Sequence, residues 1–274
     1  MSKENPLVSV VCLCHNHCAY VTEAIDSVLS QTYPNIELIV VDDGSVDGSK
    51  KLIHKIAADE GINFISNSTP MGNCRAFNQG FIESNGAYII DLAADDVLFP
   101  ERIQQGLKTF EQNIGVEFCN VLNIDSEGNE IGKHFATEEK VPQGDIYVDL
   151  IEKYFISPPG MMIKRKVLED LSGYDETLSY EDFDFWIRSS RKNLYCYTNE
   201  VLVKKRILPN SLSKKQFTFL SKHQESTLRV CRKIKNLNKT KKEDLALRRR
   251  CIYEIKQCLK QGNLSLIPGF LQLL

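Results

Sequence analysis

The sequence of 274 residues lacks several features that would place it in common protein classes. It has no apolar run of the roughly 18–20 residues that a membrane-spanning helix needs. Its first residues do not follow the charged-then-apolar order of a secretory signal peptide. It contains neither of the glycine-rich phosphate loops, G-x-G-x-x-G and G-x-x-x-x-G-K-[ST]. We therefore expect a cytoplasmic protein that binds any nucleotide by other means.

The composition is that of an ordinary globular protein, with 42% hydrophobic and 26% charged residues. These values exclude a disordered tail, a collagen-like fibre and a disulfide-stapled miniprotein. The chain has nine cysteines, an odd number, and no export signal. We therefore expect the cysteines to be reduced thiols.

Charge is distributed unevenly along the chain. Between Lys204 and Lys260 there are 18 basic and 4 acidic residues, whereas the rest of the chain has 16 basic and 32 acidic residues. Such a basic block is typical of segments that bind a phospholipid surface, nucleic acid or a phosphate-bearing substrate. The alternative interpretation is a solvated helical face.

The first 110 residues alternate between strand and helix patterns. Short apolar runs predict strands at 7–14, 36–41, 62–65 and 88–90. Helical spacing of apolar residues and helix-start residues predict helices at 20–29, 47–58, 74–83 and 100–110. This alternation predicts an α/β fold with a mainly parallel sheet flanked by helices.

The pattern changes after Val116. We predict a hairpin with strands at 116–124 and 130–132, further strands at 161–163, 195–197 and 201–203, and a helix at 181–192. Beyond Gln216 the chain is predicted to be helical. The last helix places four apolar residues on one face: Leu245, Ile252, Ile255 and Leu259.

Polar residues follow three of the predicted parallel strands. They occupy positions 14–16, 42–45 and 91–96. Ligands of open parallel sheets bind beyond the carboxyl ends of the strands. Carboxylates gathered there suit a hard divalent cation, and such a cation suits a diphosphate.

Several motifs resemble those of inverting family 2 glycosyltransferases with the GT-A fold. They occupy 8–16, 27–34, 37–45, 67–80, 88–102, 173–176 and 181–186. The resemblance covers residues 6–213 and implies a GT-A domain at 1–213. Its nucleotide-binding half would span about 1–115 and its acceptor-binding half about 116–213. A basic helical extension would follow at 214–274.

The resemblance implies a nucleotide site. Asp42 or Asp43 would contact the base or ribose, and Arg75 would lie beside the base. Cys14 and Asn16 would pack on the nucleotide, Cys14 largely through its backbone.

The resemblance also implies where the chemistry occurs. Asp95 matches the last aspartate of the family's D-x-D metal motif, with Asp96 directly behind it. Asp182 matches the catalytic base, with Glu181 as the alternative. A carboxylate in this role takes the proton of an acceptor hydroxyl, and a divalent metal offsets the charge of the leaving nucleoside diphosphate.

Two positions depart from the family pattern. Ala93 replaces the first aspartate of the metal motif, and Leu208 occupies a position that often carries a histidine near the metal. Fewer protein ligands favour Mg²⁺ or Mn²⁺ that arrives with the donor, because Mg²⁺ keeps waters and relies on substrate phosphates.

The leading hypothesis is a metal-assisted transferase that moves a sugar from a UDP-sugar to a hydroxyl of a glycan or lipid-linked acceptor. The setting would be bacterial cell-envelope polysaccharide synthesis. The basic block at 204–260 would dock on an anionic membrane surface, which makes the protein cytoplasmic and peripheral.

Other hypotheses remain. Ala93 and Leu208 keep open a catalytically degenerate nucleotide-binding or scaffold protein. A nucleotidyltransferase would need a glycine-rich basic loop that is absent, and nucleic-acid binding lacks interleaved aromatic residues in the basic block. Cysteines and histidines at 12–18 are a weak case for a soft-metal site, because they lack paired C-x-x-C motifs and lie partly in a buried strand.

Overall fold

The computed structural model describes residues 5–110, 113–136, 138–209, 220–221 and 223–274. Its contacts divide the chain into two units. The sheet unit comprises residues 1–144, 156–174 and 193–207, and the helical unit comprises residues 145–155, 175–192 and 208–274. The predicted boundary between residues 213 and 214 lies outside the described residues.

The described residues form nine strands, all within the sheet unit. They are β1 (Val8–Cys14), β2 (Ile36–Asp42), β3 (Asn63–Ser66), β4 (Tyr88–Ala93), β5 (Val97–Leu98), β6 (Ile114–Ile124), β7 (Glu130–Lys133), β8 (Met161–Lys164) and β9 (Leu194–Arg206). The strand order is β3-β2-β1-β4-β8-β6-β9-β5, with β7 paired to β6.

The described residues also form ten α-helices. The sheet unit contains α1 (Val21–Leu29), α2 (Ser49–Glu60), α3 (Asn73–Glu83), α4 (Arg102–Lys108) and α6 (Arg165–Leu171). The helical unit contains α5 (Tyr147–Glu152), α7 (Asp182–Ser190), α8 (His223–Leu237), α9 (Lys241–Gln261) and α10 (Ile267–Leu271). No helix in this described part has both the length and the apolar character needed to cross a bilayer.

The predicted α/β sheet with flanking helices is confirmed, and its sheet is mixed rather than uniformly parallel. Strands β1 to β4 pair in parallel, as the β-α-β alternation predicts, and β6 pairs in parallel with β9. The short strand β8 runs antiparallel to both β4 and β6, and thereby joins the two parallel regions. Every residue of β1 is buried, which explains its continuous apolar run.

One strand prediction is wrong. Residues 195–197 and 201–203 belong to a single strand, β9, because the polar residues Thr198 to Glu200 do not form a turn. Thr198 pairs with Cys119 and Val201 with the next residue, Asn120, so two extra residues are absorbed as a bulge against β6. A bulge of this kind leaves no distinctive pattern of residue types in the sequence.

The predicted apolar face of the last helix is not its buried face. Leu245, Ile252 and Leu259 of α9 are 47%, 46% and 60% exposed. The helix instead buries Ala246, Leu247, Cys251, Cys258 and several polar residues. It starts with a capping box, in which Thr240 Oγ1 accepts the backbone N–H of Glu243 and the Glu243 carboxylate accepts that of Thr240.

Candidate functional site

The register of the parallel strands brings three polar segments to one edge of the sheet. Cys14, the last residue of β1, pairs with Asp42, the last residue of β2. On the other side of β1, Leu13 pairs with Ala93, the last residue of β4. The segments that follow these strands, at 14–16, 42–45 and 93–96, therefore leave the sheet side by side. The sequence predicted this grouping.

Asp43 connects the end of β2 to the loop before α3. Its carboxylate accepts three hydrogen bonds: from Asn67 Nδ2 at 3.0 Å, from the backbone N–H of Met71 at 2.8 Å and from that of Gly72 at 2.9 Å. Charge-assisted bonds of this kind fix a loop strongly. The carboxylate therefore shapes the wall of the site, since Gly72 immediately precedes α3, whose first turn carries the exposed Arg75.

Gly44 is required by the same loop. Its φ is +71°, in the left-handed region, and a Cβ there would lie 2.6 Å from the backbone nitrogen of Pro70. Any larger residue would push the 69–72 loop away from Asp43. The glycine thus lets two loops approach each other at the mouth of the site.

Asn16 and Ser45 join the first two polar segments. Ser45 Oγ accepts the backbone N–H of Asn16 at 2.8 Å, and Asn16 Oδ1 accepts that of Val46 at 2.8 Å. Asn16 has a φ of +59°, which asparagine tolerates better than most residues. These reciprocal bonds give Asn16 a structural task in addition to the nucleotide contact predicted for it.

Cys14 is a buried apolar residue at the site. Burial raises the pKa of its thiol to about 11, so the group is protonated at neutral pH. Burial likewise raises the pKa of the Cys12 thiol. Neither is suited to act as a nucleophile or a soft-metal ligand, which both require a thiolate. The nucleotide contact that the family resemblance implies for Cys14, largely through its backbone, stays a prediction.

Asp95 and Asp96 occupy different surroundings. Asp96 is buried, and its Oδ1 accepts the backbone N–H of Arg206 at 2.8 Å. Burial, together with the neighbouring Asp95 carboxylate, raises the pKa of Asp96 well above its usual value. Asp96 thus anchors the end of β9, and Asp95 is the carboxylate of the pair that retains some exposure.

Asp95 faces a histidine that the sequence analysis did not assign to this site. His17 Nδ1 lies 3.7 Å from Asp95 Oδ1 and forms no hydrogen bond with any residue that the structure describes. A ring nitrogen in this position is available to a ligand that bridges the two groups. Because His17 lies among cysteines in the sequence, it was considered only as a ligand of a soft-metal site.

Arg206 is the second residue that sequence reasoning missed. Its guanidinium donates from Nε to the backbone oxygen of Asp95 at 3.1 Å and from Nη2 to Glu23 Oε2 at 2.6 Å. It also lies over the ring of Tyr20, 4.6 Å from the centroid. Arg206 therefore fixes the position of the Asp95–Asp96 segment. The only feature of the sequence that pointed to Arg206 was its position two residues before Leu208, where the chain departs from the family pattern.

The donor set at this edge fits a cation only in part. Among the described residues, no group of three or more His, Cys, Asp and Glu side chains could enclose a metal ion. Asp95 and the neighbouring His17 are candidate ligands, whereas the second predicted ligand, Asp96, is buried and accepts a hydrogen bond from Arg206, and Ala93 contributes none. Such a sparse set suits a cation that completes its shell with water and substrate phosphate oxygens, as Mg²⁺ does.

The predicted base residues lie in the helical unit. Glu181 precedes α7, and Asp182 opens it and accepts the backbone N–H of Phe183 at 2.6 Å. Asp184, also in the first turn of this helix, is fully buried and ion-paired to Arg188 and Lys233, each at 2.6 Å. Asp182 is half-buried, whereas both carboxylate oxygens of Asp184 are in ion pairs, so Asp182 is the better candidate for proton transfer.

The remaining predicted position is only partly described. Leu208 is half-buried in the helical unit, and residues 210–213 lie outside the described residues.

Comparisons with known proteins identify relatives of this chain. Residues 9–172 match the family model described as "Glycosyl transferase family 2". An uncharacterized glycosyltransferase of Methanocaldococcus jannaschii is 32% identical over 213 residues, which cover 76% of this chain and 72% of the relative. One of Rickettsia prowazekii is 31% identical over 212 residues, which cover 74% of this chain and 64% of that protein.

Solved structures share the fold at low sequence identity. S. aureus TarS 1–349 in complex with UDP-GlcNAc has a TM-score of 0.72 and 17% identity, over 97% of this chain and 79% of that one. The mannosyltransferase PcManGT from Pyrobaculum calidifontis, in complex with GDP-Man and Mn²⁺, has a TM-score of 0.68 and 14% identity, over 99% of this chain and 74% of that one. Both of these structures contain a nucleotide sugar.

Proposed function

Since the chain belongs to glycosyl transferase family 2 and has its GT-A-like fold, we propose that it transfers a sugar from a UDP-sugar to a hydroxyl group of a glycan or lipid-linked acceptor. The proposed reaction is a single displacement that inverts the anomeric carbon. The donor would bind to the sheet unit, and the helical unit would supply the base.

The observation that carries this proposal is the edge of the sheet where β1, β2 and β4 end together. Asp43 accepts a hydrogen bond from the loop before α3, and Asn16 and Ser45 connect the segments at 14–16 and 42–45. Arg206 donates a hydrogen bond to the backbone of Asp95. A ligand binding there meets groups that are already in position, so little ordering is needed on binding. The carboxylates and backbone groups of the segments at 14–16 and 42–45 suit a nucleoside. Asp95 and His17 would lie near its diphosphate.

In the proposed reaction, Asp182 accepts the proton of the acceptor hydroxyl as that oxygen attacks the anomeric carbon of the donor. The bond between this carbon and the diphosphate oxygen breaks, and the nucleoside diphosphate leaves with the electron pair. Asp95 and His17 would hold a divalent cation, which when bound offsets the charge of the leaving group. Arg206 keeps Asp95 in place but does not touch the reacting atoms.

Calorimetric titration tests the donor site. We expect UDP to bind, to bind more tightly with Mn²⁺ or Mg²⁺, and to bind more tightly than GDP or dTDP. Asp95→Asn should abolish the metal enhancement and leave the fold intact, because only the backbone of Asp95 is bonded to Arg206. Asp59→Asn, on the exposed face of α2, is the matched control and should behave as wild type.

The alternative of a degenerate nucleotide-binding protein predicts a different outcome. In that case UDP binds, but neither hydrolysis nor transfer is detected with any UDP-sugar at any metal concentration. Ala93 is the feature that favours this alternative, because it removes one carboxylate from the end of β4. If none of the three nucleotides binds, with or without metal, both versions of the proposal are wrong.

We further propose that α9 docks on an anionic membrane at the cytoplasmic face, where a lipid-linked acceptor would be found. Leu245, Ile252 and Leu259 recur every seven residues on its exposed face. Basic residues share that face: Lys241, Arg248, Arg249, Lys256 and Lys260. Exposed leucines flanked by long basic side chains suit a lipid surface, since the basic groups can reach the phosphates while the apolar groups enter the interface.

Vesicle co-sedimentation tests the membrane contact. Vesicles containing phosphatidylglycerol should retain the protein at low salt, and neutral phosphatidylcholine vesicles should not. Replacing Leu245, Ile252 and Leu259 together by Ser should release it without lowering the melting temperature, because these side chains are exposed. Equal retention of this variant and the wild type would contradict the proposal.

A further inference from the structure

The helical unit contains a cavity that the proposed transferase site does not use. Its volume is about 500 Å³, and its walls come from the segment around α5, from α8 and from the second half of α9. This volume is in the range of small-molecule binding sites. All the lining residues belong to the helical unit.

The cavity wall contains buried polar atoms that lack partners. Gln224 Nε2, Gln261 Oε1 and Arg250 Nη2 form no hydrogen bond with any residue that the structure describes. All three side chains are more than nine-tenths buried. A buried polar atom without a partner lowers stability, by about 1–3 kcal/mol in typical cases. A ligand with hydroxyl groups could offset that cost if it donates to some of these atoms and accepts from others.

Arg250 is held rigidly at the wall. Its guanidinium lies 3.8 Å from the ring centroid of Tyr154 and 4.9 Å from that of Phe183, and its Nε is 2.9 Å from Glu254 Oε1. Stacking on two aromatic rings fixes the plane of the guanidinium. The cavity therefore presents a positioned donor rather than a mobile side chain.

The charges around the cavity balance. Lys153 and Arg250 contribute two positive charges, and Glu152 and Glu254 contribute two negative ones. A phosphate or a metal cation would find no net attraction from this lining. The other wall groups are amides, hydroxyls and the ring of Tyr253, a residue that is 45% exposed. Amide groups, which donate and accept hydrogen bonds, and carboxylates, which accept them, suit a neutral molecule with many hydroxyls when they lie beside an aromatic face.

We propose that this cavity binds a neutral oligosaccharide, with one sugar ring stacked on Tyr253 and its hydroxyls bonded to Gln224, Arg250 and Gln261. Taking this oligosaccharide as part of the acceptor glycan rests on the proposed transferase function; the binding itself does not. The cavity would then recognise sugar units beyond the one that receives the transferred residue. Acceptors long enough to occupy it would be preferred over a monosaccharide.

The single tryptophan of the chain provides the measurement. Trp186 is buried, and its ring lies 6.1 Å from that of Tyr154, which lines the cavity. The full-length protein is titrated with neutral trisaccharides of glucose, mannose, galactose and N-acetylglucosamine while the tryptophan emission is recorded. We expect a saturable change with at least one trisaccharide and a weaker response to its monosaccharide. No response to any of them overturns the proposal, and so does a response to pyrophosphate alone.

Tyr253 and an exposed leucine of α10 make a matched pair of variants. Tyr253→Ala should weaken trisaccharide binding about tenfold, as expected for loss of an aromatic stacking partner. Leu271→Ala has similar exposure but does not line the cavity, so it should bind as wild type. Equal weakening in both variants would show that the effect is not local to the cavity and would overturn the proposal.

Gln261→Met supplies a readout that a merely structural role would not produce. The substitution removes an unpartnered buried oxygen at similar volume, so the melting temperature should stay unchanged or rise while trisaccharide binding weakens. A clear fall in melting temperature would mean that the oxygen has a structural partner, and would overturn the assignment. UDP titration of the same samples separates this proposal from the transferase, because either binding can fail while the other persists.

Discussion

The sheet unit and the helical unit each bury an arginine, and they do so differently. Arg102 in the sheet unit is fully buried and donates to Glu117 Oε2 at 2.7 Å and to the backbone oxygen of Gly160 at 2.8 Å. Arg250 in the helical unit has Glu254 beside it, but it also lies on two aromatic rings and borders a cavity. The first arginine is part of a closed core, and the second forms the wall of an open space.

The difference indicates how the two units serve a ligand. In the sheet unit, buried charge is used to hold strand ends and loops in one arrangement, as Asp43, Asp96 and Arg206 also show. Both Arg102 and Arg250 keep buried nitrogen atoms without a partner among the described residues, but those of Arg250 lie in the wall of a cavity. We infer that the sheet unit offers a fixed binding edge, whereas the helical unit supplies groups that meet a second molecule.

The largest expected effect separates the tasks of the two units. Asp182→Asn should lower sugar transfer by about 10²–10⁴-fold, because the acceptor hydroxyl loses its general base. UDP affinity, which depends on the sheet unit, should not change. Transfer assays and calorimetry on the same preparation measure both. If UDP affinity falls together with transfer, the division of labour between the units is wrong.

The next effect contrasts the two buried ion pairs. Glu117→Gln leaves the buried Arg102 without its counter-charge and should lower the free energy of unfolding by about 3–5 kcal/mol. Glu254→Gln should cost about 1 kcal/mol, because the rings of Tyr154 and Phe183 still contact Arg250. Urea unfolding of both variants gives the comparison. Equal losses would remove the distinction between the closed core and the cavity wall.

A smaller effect concerns the rigidity of the binding edge. Gly44→Ala should lower the free energy of unfolding by about 3 kcal/mol, since the added Cβ is strained and also meets the backbone at Pro70. Gly61→Ala is the matched control: its φ is +67°, but no atom lies within 4 Å of the added Cβ, so about 1 kcal/mol is expected. Only Gly44→Ala should also weaken UDP binding. Equal effects of the two variants would mean that the loop contact is unimportant.

The smallest effect is a pH dependence of the helical unit. Burial by itself would raise the pKa of the Asp175 carboxyl group, but hydrogen bonds from Lys233 and Thr177 lower this pKa from 3.8 to about 2. The stabilisation from Asp175 is therefore present above about pH 4 and is lost as the pH falls toward 2. Asp175→Asn should melt below wild type at pH 7, and the gap should close across this range. A gap that stays constant down to pH 2 would contradict this account.

Some parts of the fold could be predicted because short-range rules determine them. Strands β1, β2 and β4 are buried on both faces, so their apolar runs identify them, and the polar residues that follow mark their ends. The hairpin of β6 and β7 is marked by the turn at 125–129, where Asp125 accepts the backbone N–H of Glu127 and Asn129. The grouping of the candidate site follows from parallel register alone.

Other parts depend on contacts distant in the chain. Arg206 and Asp96 are 110 residues apart in sequence, and no local pattern predicts the hydrogen bond between them. The buried face of α9 contains Arg250, Glu254 and Gln261, whose residue types predict exposure. Tyr154, just after α5, and Phe183 of α7 are among the partners that allow this burial. Their identity cannot be read from the helix itself.

The position of β9 has a consequence for the order in which the molecule can be completed during synthesis. This strand lies between β6 and β5, far from its neighbours in the chain, and its last residue is Arg206. Until the ribosome has released it, β6 presents an unpaired edge, and Asp96 has no backbone N–H from Arg206 to accept. Pairing across such a separation is slow and leaves the nascent chain open to aggregation. The candidate site can therefore be completed only after Arg206 has been synthesised.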